Sequence, residues 1–382
     1  MQQKRLLIAL ILSSAILFGW SYLYPPGPPA NQKQGATPSP TASPSATQTV
    51  TSNNQTAPAA PAPAPNVSAA PQRMITVRTP LYDAKFDTLG AEPVSWILKL
   101  NKNNNTPIYS VGANKSQKQP LELISAEGLK RQPRMVPFQL QTGDATFDSV
   151  LSSSTYKVEG VDQASGDVDV NVKSGEKKEL TFVYDDGNGN QVRKKIVFDA
   201  DQYETDLSLL VKRGDQTVPS VKLAIGPSIG DQGVPHHTFY SVAPEAVAFV
   251  NSKVERHPPA GINGNSSSPD RLTLNGPVDW AAVADTYFAM VAVPVNKPEG
   301  LEYRTVAYEH KPNGGSAEKR FLVTAFLPVP ADGSRTVIYA GPKDHDLLTN
   351  GSASVTGLVG RNIDLEGLID YGFLGWLSRP LA

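Results

Sequence analysis

The 382-residue sequence contains no cysteine. Thiol catalysis, disulfide scaffolding and cysteine-ligated zinc are thereby excluded, and an oxidising compartment offers the chain no mispairing hazard. Histidine is scarce, with five in the chain. His236 and His237 are adjacent, and neighbours in an extended segment point to opposite faces, so the two rarely reach one metal. His257, His310 and His345 stand alone, without the spacing of a zinc site. Excess charge is missing too: 35 Lys and Arg against 36 Asp and Glu leave a net charge of −1, which gives no electrostatic case for nucleic acid. No G-x-S-x-G elbow precedes a predicted helix, and no phosphate-binding G-x-x-x-x-G-K-[ST] occurs. Asp186, Asn188 and Asn190 imitate the start of a calcium loop, but Gln191 stands where glycine is required and Val197 where the bidentate glutamate belongs. The expectation is a chain without metal, cofactor or catalytic residue.

Long apolar runs are also rare, and the exception lies at the start. Leu6 to Tyr24 carries no charge and is followed by Pro25 and Pro26. Roughly 19 residues at 1.5 Å each reach about 28 Å, close to the thickness of a bilayer's hydrocarbon core. Lys4 and Arg5 precede the run, and no further Lys or Arg occurs before Lys33. The positive-inside rule therefore places the N-terminus in the cytoplasm and sends the rest across. Trp20, Tyr22 and Tyr24 gather at the outer end, where amphipathic rings prefer the headgroup level. A cleaved secretory signal shares the basic start and apolar core. Bulky residues and prolines, where cleavage wants small side chains, argue for a retained anchor over residues 1–24.

Residues 25–72 are dominated by Pro, Ala, Ser, Thr, Gln and Asn. With almost no large apolar side chain, such a tract cannot offset its ordering entropy, and it reads as a disordered linker. From Met74 the composition changes to short apolar alternations punctuated by Gly, Pro, Asn and Asp, the pattern of an all-β sandwich or barrel. Tyr203, Thr205, Leu207, Leu209 and Val211 share one face of a strand. Leu180–Tyr184 and Val192–Phe198 flank DDGNGN, a sequence suited to a tight hairpin. One large β domain over residues 73–364 is the simplest partition.

Helical periodicity appears late. Asp344–Leu348 reads as one turn, and Leu365–Leu381 as a longer amphipathic helix. Phe373, Trp376 and Leu377 fall at i, i+3 and i+4, next to one exposed base, Arg379. That stripe suits a membrane interface over residues 365–382; a helix packed on the β domain is the alternative, and Arg379 followed by Pro380 favours the interface.

Taken in order, several blocks resemble the YidC/Oxa/Alb family of membrane protein insertases in its Gram-negative form. They are the basic start and span, the Pro-rich tether, ITVRTPLYDAKFDTLGAEPVSWIL from Ile75, LTFVYDDGNGNQVRKKIVF from Leu180, VDWAAVADTYFAMVAVP from Val278, YAGPKDHDLL from Tyr339 and LIDYGFLGWLSRPL from Leu368. The resemblance implies an inner-membrane insertase and chaperone, not a chemical catalyst. Its implied partners are nascent inner-membrane proteins, the Sec translocon with SecDF, and the lipid bilayer. It also implies a periplasmic β-supersandwich similar to sugar mutarotases, although a shared fold does not confer sugar chemistry. A membrane-tethered carbohydrate-binding or epimerase-like sandwich is the alternative. In the family, the block beginning Asp370, Tyr371 and Gly372 opens an amphipathic helix ahead of a second span, and five further spans form the insertion groove. No such groove is present here, because the sequence stops at Ala382, and the expectation is a fragment or truncated product.

Limited proteolysis is expected to cut before residue 73 and leave the remainder resistant. A protected fragment retaining residues 30–65 would contradict a disordered linker.

Overall fold

Short alternating segments broken by Gly, Asn and Pro favour strands over helices, and a computed structural model shows a largely β architecture. It describes residues 70–110, 118–162, 165–214, 216–230, 243–311 and 317–371. In chain order these residues form β1 (Met74–Arg78), β2 (Tyr82–Asp87), β3 (Glu92–Leu98), β4 (Leu121–Glu122), α1 (Ala126–Leu129), β5 (Leu140–Gln141), α2 (Ala145–Ser153), β6 (Lys157–Glu159) and β7 (Val168–Asn171). Next come β8 (Lys177–Asp185), β9 (Gln191–Asp199), β10 (Glu204–Arg213), β11 (Gln216–Thr217), β12 (Ser220–Ile225), β13 (Glu245–Val250), β14 (Lys253–His257) and α3 (Pro259–Asn263). Then come β15 (Arg271–Asn275), β16 (Val278–Ala284), β17 (Phe288–Pro294), β18 (Gly300–His310), β19 (Glu318–Pro330), β20 (Asp332–Pro342) and α4 (His345–Val359).

A ten-stranded sheet in the order β14-β13-β16-β17-β20-β10-β9-β8-β6, with β11 beside β10, forms the middle layer. Its inner face is set by the strand period of two: Val192, Lys194, Ile196 and Phe198 of β9 are buried while Arg193, Lys195 and Val197 between them are half-buried. A five-stranded sheet, β4-β3-β2-β1-β7, packs on this face. The Phe86 ring of β2 lies tilted at 5.5 Å from Phe182 and edge-on at 5.8 Å from Phe198. A second, β15-β18-β19-β12-β5, covers the other half of the same face, and the Tyr303 hydroxyl donates across the gap to the Val247 carbonyl at 2.7 Å. α4 lies on the opposite side of the middle layer. Strands β16 and β17 are consequently buried at every position.

The β8–β9 hairpin forms around DDGNGN as the turn chemistry requires. Asp186 accepts from the Asn188 and Asn190 amides at 2.7 and 3.1 Å, so these residues serve the turn. Two helical expectations are corrected. The single turn read at Asp344–Leu348 is a helix of 15 residues, because its buried stripe (Leu347, Leu348, Gly351, Ser352, Val355, Val359) includes small residues that hide the periodicity. The helix read from Leu365 is absent over 365–371: Glu366–Leu368 form one 3-10 turn, and Ile369 is extended with ψ 124°.

One buried ionic cluster ties the middle layer to the first five-stranded sheet. Lys194, 2% exposed, donates its Nζ to the carbonyls of Gly90 at 2.8 Å, Phe138 at 2.9 Å and Ala91 at 3.3 Å. Nearby, Arg134 pairs with Glu92 at 2.9 Å and with Asp87 at 2.7 Å. Gly90, at φ +71°, leaves room for the Glu92 carboxyl, since a Cβ there would sit 2.7 Å from it. Burial pushes the Glu92 carboxyl up, against the opposing pull of Lys194 and Arg134. Burial likewise pushes the Lys194 ammonium down to about 8, with Glu92 acting the other way.

Lys194 sets the sign of the resulting pH dependence. Between about 8 and its ordinary 10.5, the unfolded chain holds a proton that the folded chain has released, so this group makes stability rise with pH across that window. Lys194→Met is expected to flatten the rise in unfolding free energy, measured by urea titration followed by circular dichroism, from about pH 7.5 to 10.5. Equal slopes in both proteins would overturn this assignment.

Candidate functional site

The strand register gives the middle layer two distinct ends. Asp199, Glu204, Pro342, Phe288, Ala284, Glu245 and His257 lie at one end, here the near end. Asp185, Gln191, Asp332, Pro294, Val278 and Lys253 lie at the far end, about 30 Å away at the rise of a nine-residue strand. Met74, which opens β1, pairs with Asp87 toward the far end. Tyr82, where β2 begins, reaches the Asp199 carbonyl at the near end at 3.5 Å.

The last described stretch runs up and down this layer. At the near end, Asp344 caps α4 by accepting from the Asp346 and Leu347 amides at 3.1 and 3.3 Å. Fifteen residues carry the helix about 22 Å toward the far end, where Gly360, at φ 72°, ends it in the left-handed conformation. Arg361 then clasps the far end, pairing with Asp279 at 3.0 Å and donating to the carbonyls of Val295 at 2.7 Å and Pro294 at 2.8 Å. Two glycine contacts let these elements approach closely. A Cβ on Gly351 would lie 2.8 Å from the Glu204 carboxyl, and one on Gly367 would lie 2.7 Å from Val254. Glu204, directly under that helix contact, is buried, and desolvation pushes its carboxyl up.

From Arg361 the chain returns along the outer face and is held at each step. The Leu365 amide donates to the Ser352 hydroxyl at 2.8 Å, and the Trp280 indole donates to the Asp364 carbonyl at 2.9 Å. Arg256 bridges Glu245 at 2.8 Å and the Gly367 carbonyl at 2.8 Å. Leu365 and Leu368 are fully buried, each contributing about 2 kcal/mol by removal from water. The chain thus arrives at Asp370 beside the near end, firmly attached to the sheet. There Lys343 donates to the Asp285 carbonyl at 2.7 Å. Burial pushes its ammonium down to about 8, and Asp370 is among the carboxylates opposing that shift.

No catalytic constellation accompanies this anchorage among the described residues. His257 sits at the end of β14, 3.2 Å from Glu255; His345 opens α4, 3.4 Å from Asp346; His310 ends β18, its imidazole held down by burial and Arg320. These three lie on separate elements, and His236 and His237 lie outside the described residues. Among the described residues no group of three or more His, Cys, Asp or Glu could hold a metal ion, and no helix is long and apolar enough to cross a membrane. Lys4, Arg5, Trp20, Tyr22, Tyr24, Phe373, Trp376, Leu377 and Arg379 all lie outside the described residues. Sequence reading missed Arg256, Trp280 and Arg361, which carry the anchorage. Of these only Trp280, a lone large ring in a run of small apolar residues, left a readable signal.

Comparison with known proteins gives three kinds of match. A family model described as the YidC periplasmic domain matches residues 74–382. The membrane protein insertase YidC of Citrifermentans bemidjiense is 30% identical over 399 residues, covering 100% of this chain and 64% of that protein. That of Maridesulfovibrio salexigens is 26% identical over 397 residues, covering 100% and 62%. The chain therefore spans less than two thirds of the length of these relatives. Among solved structures, a putative aldose 1-epimerase from Escherichia coli K12 matches with a TM-score of 0.34 at 11% identity, covering 71% of this chain and 100% of that one. A galactose mutarotase-like protein from Lactobacillus casei matches with a TM-score of 0.36 at 12% identity, covering 70% and 99%.

Arg256→Ala removes a cation from a mostly buried pair and leaves Glu245 without its partner. A loss of about 3 kcal/mol in unfolding free energy is expected, together with new protease cleavage between residues 365 and 371. Unchanged stability and an unchanged digest would show that the exit is held by other means.

Proposed function

Because the chain belongs to the YidC family, whose periplasmic domain its residues 74–382 match, we propose that it serves as the exported part of a membrane protein insertase and chaperone of the inner membrane. In this reading the N-terminus stays in the cytoplasm behind Lys4 and Arg5, Leu6–Tyr24 spans the bilayer, and the β domain stands in the periplasm. Its partners are nascent inner-membrane proteins and the Sec translocon with SecDF. The role is mechanical: the domain holds the neighbouring membrane segment in position and bonds no substrate covalently. One observation carries this reading: residues 361–369 are fastened to the sheet by Arg361, Trp280 and Arg256, so the segment after Tyr371 starts from a fixed point. Phe373, Trp376, Leu377 and Arg379 then meet the membrane surface directly after that point, with their apolar stripe toward lipid and Arg379 toward headgroups.

A photo-crosslinking side chain at Tyr371, in membranes carrying stalled nascent chains of a multi-span protein, is expected to give adducts with the nascent chain and with SecDF. Adducts no stronger than those from a crosslinker at Lys253, at the far end, would sink the proposal.

A further inference from the structure

The near end presents two aromatic side chains to solvent in a way that the fold does not need. Tyr287 is 48% exposed and Tyr109 39% exposed, and both border one cavity of about 380 Å³ together with Ile108, Phe288 and Lys343. Rings of this size are normally covered when the chain can cover them. Here the backbone holds Tyr287 out. The Asp285 carboxylate accepts from the Tyr287 and Phe288 amides, both at 2.7 Å. The Lys343 amide donates to the Tyr287 carbonyl at 2.6 Å, and the Lys343 ammonium closes the turn on the Asp285 carbonyl at 2.7 Å. Four hydrogen bonds thus fix a turn whose tip is an exposed ring. Tyr109 has the Lys118 ammonium 4.8 Å above its centroid, which pairs an amphipathic ring with a flexible cation.

The position of this patch identifies its occupant. The last described residues approach the same end: Arg256 holds the Gly367 carbonyl beside Glu245, and Glu245 pairs in register with Ala284, next to the Asp285 turn. Resting on the reading that the chain enters the membrane surface shortly after Tyr371, we propose that the near end of the sandwich docks on the outer headgroup layer of the bilayer, with Tyr287 and Tyr109 immersed as interfacial anchors. Tyrosine suits that depth, since its ring favours the hydrocarbon boundary while its hydroxyl stays hydrated. Lys118 can extend toward lipid phosphates while its stem covers the ring. Docking sets the height and tilt of the domain, which an anchored exit alone leaves free to swing about residue 371.

The absence of cysteine makes the test direct, because any introduced thiol is the only labelling site in the chain. Tyr287→Cys, Tyr109→Cys and, at the exposed far end, Lys253→Cys are made in the full chain, labelled with a nitroxide and reconstituted into vesicles of equimolar phosphatidylethanolamine and phosphatidylglycerol. Collision with oxygen relative to a water-soluble nickel chelate is expected to be severalfold higher at 287 and 109 than at 253. If the chain floats with the vesicles but all three labels meet the chelate equally, docking is overturned and the membrane-anchored reading survives. Labels at 287 shielded from both reagents point to a protein cover and also overturn docking. A chain that does not float at all overturns both readings together.

Discussion

The architecture depends on burying a positive charge between two sheets. Lys194 stands in the inner face of the middle layer, where its neighbours Val192, Ile196 and Phe198 are apolar, and its ammonium is satisfied by carbonyls from Gly90, Ala91 and Phe138. Those carbonyls come from the β2–β3 turn and from the segment before β5, so one side chain registers three parts of the chain against each other. Glu92 and Asp87, held by Arg134, surround the cluster with opposite charge. A hydrophobic residue in place of Lys194 would pack the sheets with less regard for their relative position. The charge makes that position specific, at some cost in stability, because only one alignment meets its hydrogen-bonding needs.

The outer face of the same layer is organised differently. Glycines at 351 and 367 mark the points where α4 and the returning segment approach it most closely. Polar side chains then fix the return: Arg361 at the far end, Ser352 and Trp280 in the middle, Arg256 near the exit. The terminal stretch is thus part of the folded body to Leu368.

Much of this is legible in the residues. Alternation assigns the faces of β9 and β10, the DDGNGN turn announces its hairpin, and the break in composition near Met74 coincides with β1. The rest escapes for physical reasons. Lys194 and Lys195 are adjacent, and only the period of two assigns Lys194 to the apolar face with Val192 and Ile196. α4 reads as one turn because Gly351 and Ser352 serve its buried stripe as effectively as large apolar residues do. Leu365 and Leu368 fit a helical stripe with the residues after them, yet both are buried in the body, where Arg256 and Trp280 hold the neighbouring Gly367 and Asp364 carbonyls. Strands such as β16, buried on both faces, carry no alternation at all.

The path of the chain also determines how the domain would bear a load. β1 opens at Met74, toward the far end, and the last described stretch reaches Ile369 at the near end. Tension between the two termini therefore acts along the strands. Bonds of an antiparallel ladder lie perpendicular to that direction, so they are loaded together in shear, whereas termini at the same end would open them one by one. β1 is gripped on both sides, by β2 and by β7, and the exit is held by several hydrogen bonds in series along the outer face. Held at opposite ends of its strands, the domain is thus built to resist being drawn apart.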